Sequence, residues 1–280
     1  MKKLYILLES VRDVVASLMQ GYNLSNVYKT VMYSAIYAAL YKSLGGCEPL
    51  RPLEEKIPLP LLAIARRKLV DEFLNLLEHL NMILSSKKPI LIREANLDFI
   101  VKQLKNEIER VDYVLMYDCM SMIEFLTISA YLRLKGIKSA FLGSVFLNPI
   151  GLTRFMTHQL FGADYRASLL GVAQYIADNL GGIAYAKSSY IDEKVHEVGY
   201  LGVDEFVDVM DIEAIADEVL TSTSRGRVLV GSDHGYDVVK SIDSKYIYVV
   251  HGFRPESSFK AIPLLPLSRF AFFIVAYRMG

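Results

Sequence analysis

The sequence predicts an α/β protein, a mainly parallel sheet flanked by helices, with a helical region at its N-terminus. Three observations lead there. Apolar residues over the first ~110 positions recur at three- and four-residue steps, the period of a helix buried along one face. From residue 111 the texture changes to short apolar runs alternating with helical stretches. Several of those runs end in aspartate or histidine, and in parallel sheets ligands gather at the carboxyl ends of the strands.

Taken in order, Leu4, Leu7, Leu8, Val11 and Val15 mark a first amphipathic helix. The stretch 45–60, GGCEPLRPLEEKIPLP, holds four prolines and two glycines and reads as a loop. Segment 65–84 is amphipathic, with Leu69, Phe73, Leu76, Leu77 and Leu80 on one face, and 94–110 is a further helix. These make a helical N-terminal region over 1–110. The α/β region, 111–280, opens with the apolar run 112–118, DYVLMYD, followed by a helix to about Gly136. A strand is expected at 138–146, a helix at 152–180, a strand at 183–188 and a helix at 204–220. Strands are then expected at 227–232, 245–250 and 270–277.

The chain has 280 residues, enough to bury a sizeable core. Lys plus Arg and Asp plus Glu balance at 31 each, so net charge argues for neither nucleic acid nor an anionic membrane as a partner. Two cysteines, Cys47 and Cys119, without a CxxC spacing exclude a thiol zinc knuckle and argue against a disulfide framework. The N-terminus starts like a secretory signal, but Glu9, Arg12 and Asp13 interrupt the apolar core such a signal needs. No apolar run reaches the ~20 residues of a membrane span. The expectation is a soluble cytoplasmic protein.

Histidine occurs five times, and three of the five stand where a metal centre would want them. In VLVGSDHG, residues 228–235, an apolar strand runs into Asp233 and His234 before a glycine; carboxylate and imidazole suit zinc or a similar ion. In VVHGF a strand ends in His251. In YIDEKVHEVG, Asp192 and His196 are four apart and share a face if the segment is helical. Asp118 closes an apolar run, where its commonest role is to cap the next helix. Thr153 follows a proline and a glycine and precedes an apolar-periodic stretch, so its hydroxyl would sit at a helix N-terminus, where it can cap or meet a phosphate. Cys119 and Ser121 are nucleophilic residue types with nothing evident to activate them.

The order of these pieces resembles the alkaline phosphatase superfamily, closest to its nucleotide pyrophosphatase/phosphodiesterase branch and its PglZ-like members. That order is a strand-end Asp, a Thr or Ser nucleophile, an Asp-x-x-x-His pair, an Asp-His pair after a strand and a final His-Gly. Here it runs Asp118, Thr153, Asp192 with His196, Asp233 with His234, and His251 before Gly252, within roughly 111–255. The resemblance implies an alkaline-phosphatase-like core and two divalent ions, zinc first and manganese second. One would be held by Asp192, His196 and His251, the other by Asp118, Asp233 and His234, about 4 Å apart in such centres. Thr153 would attack the phosphorus of a small-molecule or nucleotide phosphate ester, mono- or diester. No C-x-P-x-R or S-x-P-x-R string is present, which disfavours a sulfatase. Cys119 stands where many relatives have glycine, and Met120 and Ser121 stand where PglZ-like proteins carry an arginine. The alternative is therefore a non-catalytic PglZ-like component of a larger defence or nucleic-acid-related system, with the N-terminal helices available to a protein partner or a second copy.

Overall fold

A computed structural model of the chain describes residues 2–47, 51–86, 96–142, 145–160, 165–200, 202–243, 246–252 and 260–279. Leu4, Leu8, Val11, Val15 and Leu18 bury one face of α1 (Lys2–Met19), while Leu7 lies only partly covered. Asn23 caps α2 (Leu24–Ser43) by accepting from the Asn26 amide, and most of α2 is buried. The predicted loop at 45–60 contains a 3₁₀ turn, Arg51–Lys56, and the start of α3 (Leu59–Ile64). The amphipathic stretch predicted from 65 begins as a π turn, Ala65–Leu69, and continues as α4 (Val70–Ser86). Asn96 then caps α5 (Leu97–Glu107); the first residues predicted for that helix lie outside the described ones.

The large sheet has five strands: β1 (Tyr113–Tyr117), β2 (Ile137–Phe141), β4 (Ala184–Ser188), β5 (Val228–Ser232) and β10 (Phe273–Arg278), in the order β2-β10-β5-β1-β4. β1 runs parallel to both β4 and β5, and β10 is antiparallel to β5 and β2. Four of the five strands thus share a direction, so the sheet is mainly parallel. Alternate side chains of β1 explain the layering, because successive residues of a strand face opposite ways. Tyr113, Leu115 and Tyr117 join a core with α1, α2, α4 and α6 (Met122–Leu134), whereas Val114 and Met116 join a second core with α5 and α8 (Leu169–Leu180). A truncation such as Leu115→Ala would cost about 2–5 kcal/mol at so closed a site. No helix among the described residues is long and apolar enough to cross a membrane.

Several expected boundaries are corrected. The strand expected at 138–146 is β2 plus the short β3 (Phe146–Leu147), which pairs with β9 (Phe270–Ala271). The helix expected at 152–180 is two: α7, a single turn (Arg154–Thr157), and α8, capped by Ser168. The helix expected at 204–220 breaks into α10 (Val203–Val209) and α11 (Ile212–Ser222), because the Asp211 side chain accepts from the Ala214 amide and starts a new helix. The strand expected at 245–250, β7 (Ile247–Val250), belongs to a separate antiparallel sheet, β7-β6-β8, with β6 (Asp237–Ser241) and β8 (Ala261–Pro266). β8 was hidden by Pro263 and Pro266, which an edge strand tolerates.

Candidate metal centre

The three parallel strands end together. Tyr117 is in register with Ser188 on one side and Ser232 on the other, so the residues that follow each strand emerge at one edge. Those residues are Asp118 after β1, the helix α9 (Tyr190–Lys194) with Asp192 after β4, and Asp233 and His234 after β5. The small sheet supplies the fourth approach, as β7 delivers His251, and Gly252 (φ 60°) turns the chain in the left-handed region.

All seven residues singled out from the sequence meet there. Asp192 and His196 share a face as the spacing requires, with 3.5 Å between Oδ1 and Nε2; a π turn, Val195–Gly199, continues the helix through His196. His251 Nε2 lies 3.1 Å from the same Asp192 oxygen, and its ring stacks on His196 with centroids 5.3 Å apart. His234 Nε2 lies 3.5 Å from both Asp118 Oδ1 and Asp233 Oδ2. The His234 and His251 rings meet edge to face at 4.6 Å and join the two halves. Thr153 Oγ donates to Asp118 Oδ1 at 3.2 Å and lies 3.3 Å from His234 Nε2. Among the described residues three groups of donor atoms are each close enough to hold an ion, two of them the expected sets Asp192–His196–His251 and Asp118–Asp233–His234.

The chemistry of these donors fits a cation. Three carboxylates and three imidazoles converge, and the basic side chains within 4 Å of the Asp118, Asp192 and Asp233 carboxylates among the described residues are all histidines. Burial, and after it the charge of Asp233, pushes the Asp118 carboxyl up to about 6. Asp192 is held below its ordinary value: burial opposes this, but the contacts with His251 and then His196 prevail. Burial works against the charged form of His251, yet Asp192 more than compensates and raises it. Asp233 Oδ2 is fully buried with no hydrogen-bond partner among the described residues, a costly state for a carboxylate oxygen unless a cation meets it.

Three local readings change. Asp118 caps nothing: Ser121 caps α6 through a reciprocal box with Glu124, so the aspartate is free to face the cluster. Thr153 precedes only one helical turn and makes no capping bond among the described residues; its hydroxyl is given to Asp118 and not to backbone amides. Ser121 Oγ donates to Glu124 in a buried pocket, which removes it as a nucleophile.

Other residues, beyond the seven singled out from the sequence, support the centre. Asn148 is buried; its amide nitrogen donates to the carbonyls of Leu152 and Asp233, and its oxygen accepts from Ile150 and Gly151. It therefore ties the Thr153 loop to the Asp233 turn, and the Asn-Pro-x-Gly string was its available signal. Glu124, fully buried, accepts from Ser121, from Tyr236 Oη at 2.6 Å and from Tyr28 Oη at 2.7 Å. It thus joins α2, the start of α6 and the turn two residues beyond His234. Cys119 carries φ 66°, the one non-glycine with positive φ among the described residues.

No protein-family model matches this sequence, and no curated protein matches it.

Proposed function

We propose that this chain is a metal-dependent hydrolase of phosphate esters, built on an alkaline-phosphatase-like core, with Thr153 as its nucleophile. The observation that carries the reading is the position of one hydroxyl. Thr153 Oγ stands beside Asp118 and His234, two members of one three-residue donor set. The six ligands would be Asp118, Asp233 and His234 in one set and Asp192, His196 and His251 in the other. Two divalent ions, when bound, supply positive charge to the attacking and leaving oxygens of an in-line displacement. Sets that mix imidazole with carboxylate suit zinc, with manganese second.

The protein's own part is positional. Asp118 accepts the Thr153 hydrogen bond and fixes the direction of its oxygen. Asn148 holds the loop that presents Thr153. Attack by Oγ on phosphorus forms a phosphothreonine and breaks the ester P–O bond, releasing the alcohol; water then cleaves the phosphothreonine and restores the hydroxyl. Arg154, exposed on the next residue, lines a depression with Asn96, Ile150, Phe155, His158 and Gln159 and would meet the anionic substrate there.

A second reading, a non-catalytic PglZ-like component of a larger system, draws on one observation. Met120 and Ser121, at the position of the PglZ-like arginine, are fully buried and offer a substrate nothing. Nitrophenyl phosphate mono- and diesters separate the two, since a good leaving group needs little help from substrate-specific contacts. Zinc-loaded protein should hydrolyse at least one class, and Thr153→Ala should lose nearly all of that rate. A folded, metal-loaded protein inert to both across neutral and alkaline pH would favour the second reading.

A further inference from the structure

We propose that Cys119 is a sulfur donor to this centre and gives it a preference for thiophilic ions; this rests on the metal-centre reading above. Cys119 Sγ and one ring nitrogen each from His234 and His251 lie within 4.8 Å of one another, a third donor group that takes one imidazole from each of the other two. The thiol is fully buried among these residues, and its one described hydrogen bond is a weak 3.5 Å contact with the Gly235 carbonyl. Its backbone is left-handed, a conformation that disfavours any residue with a Cβ, so the side chain is held at this point against local preference.

A second observation points to a cation at the same place. Asp233 Oδ2, fully buried and with no hydrogen-bond partner among the described residues, lies 3.5 Å from His234 Nε2, the imidazole that the sulfur group shares. On binding, the ion replaces the thiol proton, which leaves to solvent, and a sulfur–metal bond forms with no change of oxidation state. Thiolate is a soft ligand that suits zinc, cadmium or cobalt(II), whereas carboxylate and water alone suit magnesium and manganese.

Cobalt(II) reports sulfur ligation directly, since thiolate-to-cobalt charge transfer absorbs strongly in the near ultraviolet and imidazole or carboxylate ligation does not. The full chain carrying Cys47→Ser, which removes the exposed second thiol, is loaded with cobalt(II), and bound metal is counted by equilibrium dialysis. The expected result is bound cobalt with the charge-transfer band. Adding Cys119→Ser should abolish that band while visible cobalt bands remain, and should weaken cadmium binding more than manganese binding. Bound cobalt without the band, or a band that survives Cys119→Ser, overturns the inference and leaves the two-ion centre standing. Folded protein that binds no cobalt overturns both. Cys119→Gly, which suits the left-handed backbone, repeats the test if the serine variant folds poorly.

Discussion

His251 Nε2 lies 3.1 Å from Asp192 Oδ1, joining the end of β7 in the small sheet to α9 beyond the large one. The pair ties together two elements that share no strand ladder, and it has a pH signature. His251 is raised above its ordinary value, so the stability it contributes is complete below about 6.5 and is lost as pH rises through its raised value. Metal-free protein should therefore lose stability over that window, and His251→Gln should flatten the loss. Chemical denaturation at several pH values in a chelator measures it. With zinc in excess the slope should reverse, because ligand protons compete with the ion.

Asp118 predicts an effect of the same sign. Its folded value of about 6 exceeds the ordinary 3.8, so its contribution is complete below about 3.8 and is lost as pH rises through about 6. At pH 7.5 without metal the buried carboxylate opposes folding. Asp118→Asn should then melt a few degrees above wild type, at roughly 2–4 °C per kcal/mol for a chain of this size. With zinc the order should invert, since the variant loses a ligand. Melting curves with and without metal test both halves; equal melting in chelator would show that no repulsion is relieved.

The Glu124 cluster makes a stability prediction. Burial drives its carboxyl upward, while bonds from Ser121, Tyr236 and Tyr28 work against that. Tyr28→Phe removes one donor and should cost about 1 kcal/mol. Glu124→Ala strands the remaining donors and should cost about 2–4 kcal/mol. Urea unfolding of both, beside Glu124→Gln, checks the order.

Much of the centre could be read from local patterns. Asp118, Asp233 and His251 each close an apolar run, and strand ends are where parallel sheets place ligands. Asp192 and His196 needed only a helical turn. The rest depends on long-range packing. Nothing near Tyr28 shows that its hydroxyl reaches Glu124, and nothing near Cys119 shows a left-handed backbone. Prolines 263 and 266 hid an edge strand, and with it the small sheet that carries His251. The sequence does not mark the break after α7, because the flanking apolar residues keep helical spacing across it.

Elemental analysis tests the two-ion claim most directly. Wild-type protein loaded with zinc and freed of excess should hold about two ions per chain, and His234→Ala and His251→Ala should each hold about one fewer. Folded wild-type protein with no bound metal, or variants that keep the full complement, would contradict it.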